Sequence, residues 1–430
     1  MQTKKTGGKF WLALVVFSLV GQVAWVVENM YLNVFIYKMF NATAGEISLM
    51  VSASAVTATL TTILIGALSD KIGKRKLFIC GGYVIWGISI LSFALVRIDV
   101  IGVLFPSVTS AAAVGVSLTI ILDCVMTFFG SSANDACFNA WLTDATDDTN
   151  RGLAEGLNSM MPLVAILAVF GGFMGVSQDT VEGWTLIFSV IGAVVTLLGI
   201  AGFFLIEDHV VTREENKNFF GNIFYGFRPG VIRKNMSLYG TLILLALFNI
   251  SIQIFMPYLI LYYTESLGFE NYVLIFAPAI ALSALFTGLY GKVYDRKGFT
   301  MAIIPTLTLL TVGYVGLIFV RSMIPVFLFS LLMMCGFLGT GAMLGARVRD
   351  CTPEGKAGMF QGLRIIGQVL IPGVIGPAIG AWLLRNAETM VNTDGTTSFI
   401  PNESIFIGAL VAAGVVWLAL SPLFFKKKEV

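Results

Sequence analysis

The chain reads as an all-α membrane protein of twelve transmembrane helices arranged as two pseudo-symmetric six-helix bundles, and three observations predict this. Hydrophobic residues make up 57% of the 430 and charged residues only 12%, too little polar surface for a soluble protein of this length. Apolar runs of ~20 residues, the length that crosses a bilayer, recur from end to end. A loop pattern also repeats. Gly66, Asp70 and Gly73 fall in G-x-x-x-D-x-x-G, and Gly291, Asp295 and Gly298 restate it 225 residues later.

The expected helices lie near 10–37, 47–68, 77–96, 117–142, 153–175, 184–206, 238–263, 272–293, 301–320, 324–348, 359–384 and 405–425. Lys4, Lys5 and Lys9 precede the first run as in a signal peptide. That run is too long for one and carries Gln22, Glu28, Asn29 and Asn33 without a small-residue cleavage site, so it is a first span. The domains predicted are a first bundle over 1–206, a linker over 207–237 and a second bundle over 238–430. The linker combines Glu214, Glu215, Lys217, Arg233 and Lys234 with Phe219 and Phe220 and predicts an interfacial helix, its lone His209 solvated. With both termini cytoplasmic, every Lys and Arg lies inside except Lys38, Arg97, Arg321 and Arg385, as the positive-inside rule requires. The location implied is a plasma or inner membrane. A net charge of +2 gives no nucleic-acid footprint. Cys80, Cys124, Cys137, Cys335 and Cys351 are at no metal-ligand spacing, so neither metal, cofactor nor disulfide is expected.

The apolar stretch from Asp99 to Val116 invites a further span, which would invert everything after it. A second repeat argues otherwise. Asp144, Thr146, Gly152, Gly156 and Leu157 recur 206 residues later as Asp350, Thr352, Gly358, Gly362 and Leu363. The loops after helices 4 and 10 therefore correspond, and the surplus in the first half becomes an external connection around 97–116.

The motif Gly66-Ala-Leu-Ser-Asp70-Lys-Ile-Gly73-Lys-Arg75-Lys resembles the helix 2–3 loop of the major facilitator superfamily, whose second half carries a degraded copy. The resemblance implies a secondary transporter, with a small-molecule cargo bound between the halves near the bilayer midplane, acting as a monomer. No catalytic triad, phosphate loop or cofactor motif appears, so the chain is not expected to be an enzyme. Gly66, Asp70, Gly73, Arg75, Asp144, Arg151, Asp295, Arg296, Gly298, Arg347 and Asp350 would form a cytoplasmic gate. Asp70 is expected against the start of helix 11, and Asp295 against the start of helix 5.

An ionisable side chain at a helix centre costs at least ~2.5–3.5 kcal/mol and is a functional candidate by default. Glu28 on helix 1 and Asp123 and Asp135 on helix 4 qualify, with Glu155 and Arg364 nearer the helix ends. At ~1.5 Å per residue, Glu28 and Asp123 fall at similar height. In the resembled fold helices 1, 4, 7 and 10 line the cavity, so the pair would stand on neighbouring walls, and Glu28, Asp123 and Asp135 are the candidates for coupling transport to a proton, the expected coupling ion. Polar stripes at helical spacing add Gln22, Trp25, Asn29 and Asn33; Asp123, Thr127 and Asn134; Asn249, Gln253 and Pro257; and Gln361, Arg364, Gln368 and Pro372. Gly336, Gly339, Gly341 and Gly345 on helix 10, and Gly367, Gly373, Gly376 and Gly380 on helix 11, allow close approach between helices.

Gly82-Tyr83, Trp86-Gly87 and the run from Asn134 to Gly152 are similar to the glycoside-pentoside-hexuronide and sucrose symporter branch. Helix 2 carries threonines where sodium-using members of that branch carry acids. Proton symport of a sugar or glycoside is therefore the first expectation. Trp25, Asn29, Tyr31, Asn33, Asn134, Asn249, Gln253, Tyr258 and Gln368 would supply donors, acceptors and aromatic platforms. A drug–proton antiporter and a transporter-like sensor are the alternatives.

Overall fold

The computed structural model describes residues 7–107, 110–146, 150–207, 225–353, 357–392 and 395–425. Eleven helical stretches among them are long and apolar enough to cross a membrane. The first seven are helix 1 (Gly8–Phe40), helix 2 (Ala44–Ile72), helix 3 (Arg75–Phe93), helix 4 (Ala111–Ala145), helix 5 (Arg151–Gly172), helix 6 (Val181–Leu205) and helix 7 (Met236–Ser266). The eighth stretch, Val273–Phe319, has 47 residues. As one helix it would run about 70 Å, more than twice the ~30 Å hydrocarbon core. Gly298 breaks it with φ 74° and ψ 174°, so it supplies two spans, helices 8 and 9. Helix 10 is Met323–Cys351, helix 11 is Gly362–Leu384 with leading turns from Ala357, and helix 12 is Ser404–Phe425.

The repeated loop owes its pattern to backbone geometry. Gly73, at φ 71°, and Gly298, at φ 74°, both take the left-handed conformation, which an L side chain enters at a cost of about 1–2 kcal/mol. The leading glycine has a different status. A Cβ on Gly66 would meet only Ala136, at an ordinary 3.8 Å, and on Gly291 nothing within 4 Å. At the opposite helix ends a second correspondence appears. Asn41, at φ 53°, and Gly268, at φ 68°, close helices 1 and 7 with caps whose bonds reach six residues back, Ala42 N–H to Ile36 C=O at 3.2 Å and Phe269 N–H to Tyr263 C=O at 2.9 Å. Helix 2 opens on a capping box in which Thr43 N–H donates to Glu46 Oε2 at 2.8 Å and Glu46 N–H to Thr43 Oγ1 at 3.2 Å.

The chain divides into two compact units, Met1–Ala42 with Val56–Phe219 and Thr43–Ala55 with Phe220–Val430. The outset of helix 2 thus belongs with the second unit, where Tyr258 Oη donates to Ala44 C=O at 3.0 Å and Ser52 Oγ to Gly373 C=O at 3.3 Å. In the first unit, helices 3 and 6 meet backbone to backbone. A Cβ on Gly87 would lie 2.4 Å from Thr196 N and one on Gly192 2.8 Å from Leu91 N. In the second unit, Gly336 and Gly339 of helix 10 face Leu310 and Thr306 of helix 9, and Gly376 and Gly380 of helix 11 face Gln253 and Ile254 of helix 7. Gly345, on the same run, meets nothing within 4 Å.

Three expectations need correction. Helix 4 begins at Ala111 rather than 117, because Ser110 Oγ caps it by accepting from Ala113 N–H. The connection before it is a short helix, Ile98–Leu104, flanked by a two-bond pair at 3.0 Å in which Arg97 holds the Asp99 carboxyl below its usual range. Between helices 11 and 12 the chain forms an unforeseen hairpin, β1 (Thr389–Val391) against β2 (Thr397–Phe399), antiparallel with Met390 opposite Ser398. In the linker, Phe219 and Phe220 lie outside the described residues, and the helix found is Pro229–Lys234, of six residues.

Gly73→Ala and Gly298→Ala should each lower the midpoint of thermal unfolding in detergent, by a cost of about 1–2 kcal/mol, whereas Gly66→Ala and Gly291→Ala should not. Equal midpoints for all four would refute the left-handed requirement.

Candidate functional site

The spanning helices depart from α geometry at a few places, and several of the polar residues lie there. Helix 1 widens to a π-type turn at Val27–Tyr31, where Leu32 N–H reaches Val27 C=O, and Glu28 and Asn29 lie in it. Helix 4 does so over Ser131–Phe138, which contains Asn134 and Asp135. In helix 11 the same widening spans Ile366–Leu370, around Gln368. Helix 7 tightens at Met256–Tyr258 beside Pro257 and widens at Tyr262–Ser266. Such turns free or redirect backbone groups and concentrate at functional positions.

In the first unit the structure brings Glu28 and Asp123 together. Thr127 Oγ1 donates to Glu28 Oε1 at 2.9 Å, and Asp123 precedes Thr127 by one turn on the same face of helix 4. Glu28 is 7% exposed, Asp123 1% and Thr127 0%. The Asp123 carboxyl lies in the electrostatic field of Glu28, and its Oδ1 is buried with no hydrogen-bond partner among the described residues. Asp135 lies three turns further along helix 4 and accepts from Ser131 Oγ at 3.0 Å.

The amides divide into two groups. Asn29 is exposed, with one N–H turned back to Trp25 C=O at 2.8 Å, and Trp25 rests on Trp86 with ring centroids 5.1 Å apart. Asn33 is buried, donating to Asn29 C=O at 2.9 Å, and its Oδ1 has no partner among the described residues. Asn249 donates to Leu245 C=O at 2.9 Å and is half-buried, as is Gln253 against Gly376. Gln368 is exposed and accepts from Arg364 Nε at 3.3 Å.

Three residues nominated as solute contacts are instead fixed within their own units. Tyr31 is 1% exposed, stacked on Phe170 with centroids 5.9 Å apart and edge-on to Trp184 at 6.0 Å. Asn134 donates to Tyr83 Oη at 2.7 Å, which donates to Phe17 C=O at 2.8 Å. Gly21 makes room for this group, since a Cβ there would come within 2.3 Å of Asn134 Nδ2. Tyr258 is fully buried, its hydroxyl shared between the Ala44 and Pro377 carbonyls. For Asn134 and Tyr258 polarity is satisfied by protein rather than left for a ligand.

The gate residues form local networks. Arg75 is buried and pairs with Asp144, and its Nη1 donates to Ser69 Oγ at 3.2 Å, while Ser69 donates to Gly66 C=O at 2.8 Å. The position 225 residues after Ser69 is Tyr294. Its hydroxyl donates straight to Asp350, the counterpart of Asp144. Arg347 lies over the Phe299 ring, 5.6 Å from its centroid, and donates to Ser237 Oγ at 3.4 Å. Asp295 and Arg296 are exposed. The side chains of Asp70 and Arg151 lie outside the described residues, as do residues 354–356 ahead of the expected partner helix. Trp86 and Tyr83 carried no site role in the sequence reading, although both are buried against the candidate site.

Comparison with known proteins adds the family context. The family model described as Major Facilitator Superfamily matches residues 10–347. A search of the curated proteins returns no match. Among solved structures, the chain is similar to a point mutant of nucleoside transporter NupG, at 14% identity and TM-score 0.72, covering 96% of this chain and 99% of that one. It is similar to a bacterial homologue of the human lysosomal transporter Spinster in an occupied inward-facing conformation, at 14% identity and TM-score 0.71, covering 97% of each chain. The xylose transporter XylE from E. coli is likewise similar, at 14% identity and TM-score 0.69, covering 97% of this chain and 99% of that one.

Tyr83→Phe removes the hydroxyl linking Asn134 to Phe17 and should cost about 1–3 kcal/mol through the buried groups it leaves unpaired. A thermal midpoint equal to that of the unaltered protein would refute a structural role for this link.

Proposed function

The chain belongs to the Major Facilitator Superfamily, and from that premise we propose that it is a proton-coupled symporter of a small polar solute, with a sugar or glycoside as the first choice. It is an integral multi-pass membrane transporter and not an enzyme. The observation that carries the coupling is the buried group of Glu28, Thr127 and Asp123. Two carboxyl groups in a medium of low dielectric resist ionising together, so one of them holds a proton while the site is closed to water. Hydration on opening releases it. Solute moves with the proton only if its affinity differs between the two states.

Orientation follows from charge. Lysines and arginines gather on the side of the helix 2–3 and helix 8–9 loops, which supports both termini facing the cytoplasm. A polar cargo is supported by Asn29, Asn249, Gln253 and Gln368, which stay outside the buried cores. It is supported too by the similar fold of a D-xylose–proton symporter, at 13% identity and TM-score 0.70. The antiporter reading is disfavoured by the absence of arginine from helix 4.

In proteoliposomes with an imposed pH gradient, Glu28→Gln and Asp123→Asn should abolish accumulation while sparing exchange. Accumulation by both variants at the original level, or uptake driven by sodium alone, would overturn the assignment. In a thermal-shift screen, sugars should stabilise the purified protein, and Asn29→Ala and Gln253→Ala should each weaken the effective sugar by about 1–3 kcal/mol. Stabilisation by lipophilic cations instead would favour the antiporter.

A further inference from the structure

Helix 4 carries a hydroxyl or carboxyl at every fourth position from Asp123 through Thr127 and Ser131 to Asp135. Its two hydroxyls serve different carboxyl groups, one on helix 1 and one on helix 4. Thr127 donates to Glu28 at 2.9 Å, and Ser131 donates to Asp135 at 3.0 Å. Thr127 and Ser131 are both fully buried, and the backbone N–H of Ser131 still reaches Thr127 C=O, so the two face the same way one α-turn apart. Side chains so placed are about 5–6 Å apart. One water molecule, with two hydrogen bonds of roughly 2.8 Å, spans that gap.

A third group marks the same place. Trp86 is fully buried and its indole N–H has no hydrogen-bond partner among the described residues. The Nε1 atom lies beside Gly130, 3.0 Å from where a Cβ would stand, and Gly130 falls between Thr127 and Ser131 in the chain. A buried indole N–H without a partner is costly in this medium. The remaining ionisable groups nearby are Tyr83 from helix 3, which lies in the field of Asp135, and Cys124, which is beside Asp123.

We propose that Asp135, Ser131, a water held by Trp86 Nε1–H, and Thr127 form a proton path inside the first unit that loads and unloads Glu28. It rests on the reading of Glu28 and Asp123 as the coupling pair. When the Asp135 carboxyl is protonated the bond to Ser131 reverses: Asp135 O–H donates to Ser131 Oγ, Ser131 turns its own O–H to the water, and as Ser131 Oγ takes the proton of Asp135 its own proton passes to the water. The water gives one to Thr127 Oγ1, and Thr127 gives its proton to Glu28, leaving Asp135 a carboxylate and Glu28 a carboxylic acid. No electron is transferred. Trp86 is a positioning residue, since it holds the water without passing a proton. The path would let the proton travel apart from the solute, on the side of helix 4 that faces helices 1 and 3.

The test needs no solute. Infrared difference spectra of the purified protein in lipid, after a pH jump in H2O and in D2O, resolve protonated carboxyl bands, which Glu28→Gln, Asp123→Asn and Asp135→Asn assign. Proton–deuteron exchange at the Glu28 band should slow at least tenfold in Ser131→Ala, Asp135→Asn and Trp86→Phe. Ser131→Thr, which keeps the hydroxyl, should restore the rate and so separates loss of the path from loss of packing. Unchanged exchange in Ser131→Ala and Asp135→Asn would overturn the path and leave the coupling pair standing. No protonated band assignable to Glu28 or Asp123 at any pH would overturn the coupling pair, and the path with it.

Discussion

A polar group inside a bilayer has no water to turn to, and most of this structure is a response to that fact. Serine and threonine hydroxyls along the spans bond back to carbonyls three or four residues earlier, as Thr119 does to Gly115 and Thr287 to Ser283. Asparagines do the same with one N–H. The buried side-chain atoms among the described residues that escape this rule all lie in the first unit, on helices 1 to 4, and of these Glu28 falls within a departure from α geometry. A helix that must hold Glu28 in hydrocarbon has to bring Thr127 to it, and the widened turn at Val27–Tyr31 is where helix 1 makes that adjustment.

The internal repeat shows how one loop design tolerates different chemistry. The left-handed glycine is kept in both halves because the backbone requires it. The side chains that tie the loop to the following helices are not kept. In the first half a buried arginine joins Ser69 to Asp144, and in the second a tyrosine at the serine's position spans the distance unaided. An ion pair partly removed from water owes its strength to good geometry and further hydrogen bonds. A phenol donating to a carboxylate places only one charge there.

The spans were legible in the sequence because they depend on spacing, whereas the expectation that Glu28 stands near Asp123 drew also on the resembled fold. Apolar length gives the spans, the offsets of 225 and 206 residues give the correspondence of loops, and helical rise gives the common height of the carboxyls. What was not legible depends on direction. Tyr31, Asn134 and Tyr258 occupy the right helices, but a rotation into the core settles their role, and a single sequence carries little information on rotation within a polar stripe. The hairpin between helices 11 and 12 was signalled only by Asp394-Gly395, a turn dipeptide too common to weigh by itself. The break between helices 8 and 9 was anticipated, since Gly298 occupies the position of Gly73.

The glycine contact between helices 3 and 6 has a mechanical consequence. Where Gly87 and Gly192 leave each backbone in touch with the other, no side chain lies between the two helices to slide or re-rotamerise. A shear that moved one past the other would drive main chain into main chain. Helices 3 and 6 therefore behave as a single stiff beam. Helices 1 and 4, with their widened turns, are the compliant members fastened to it. Close backbone contact and widened turns thus fall on different helices of one bundle.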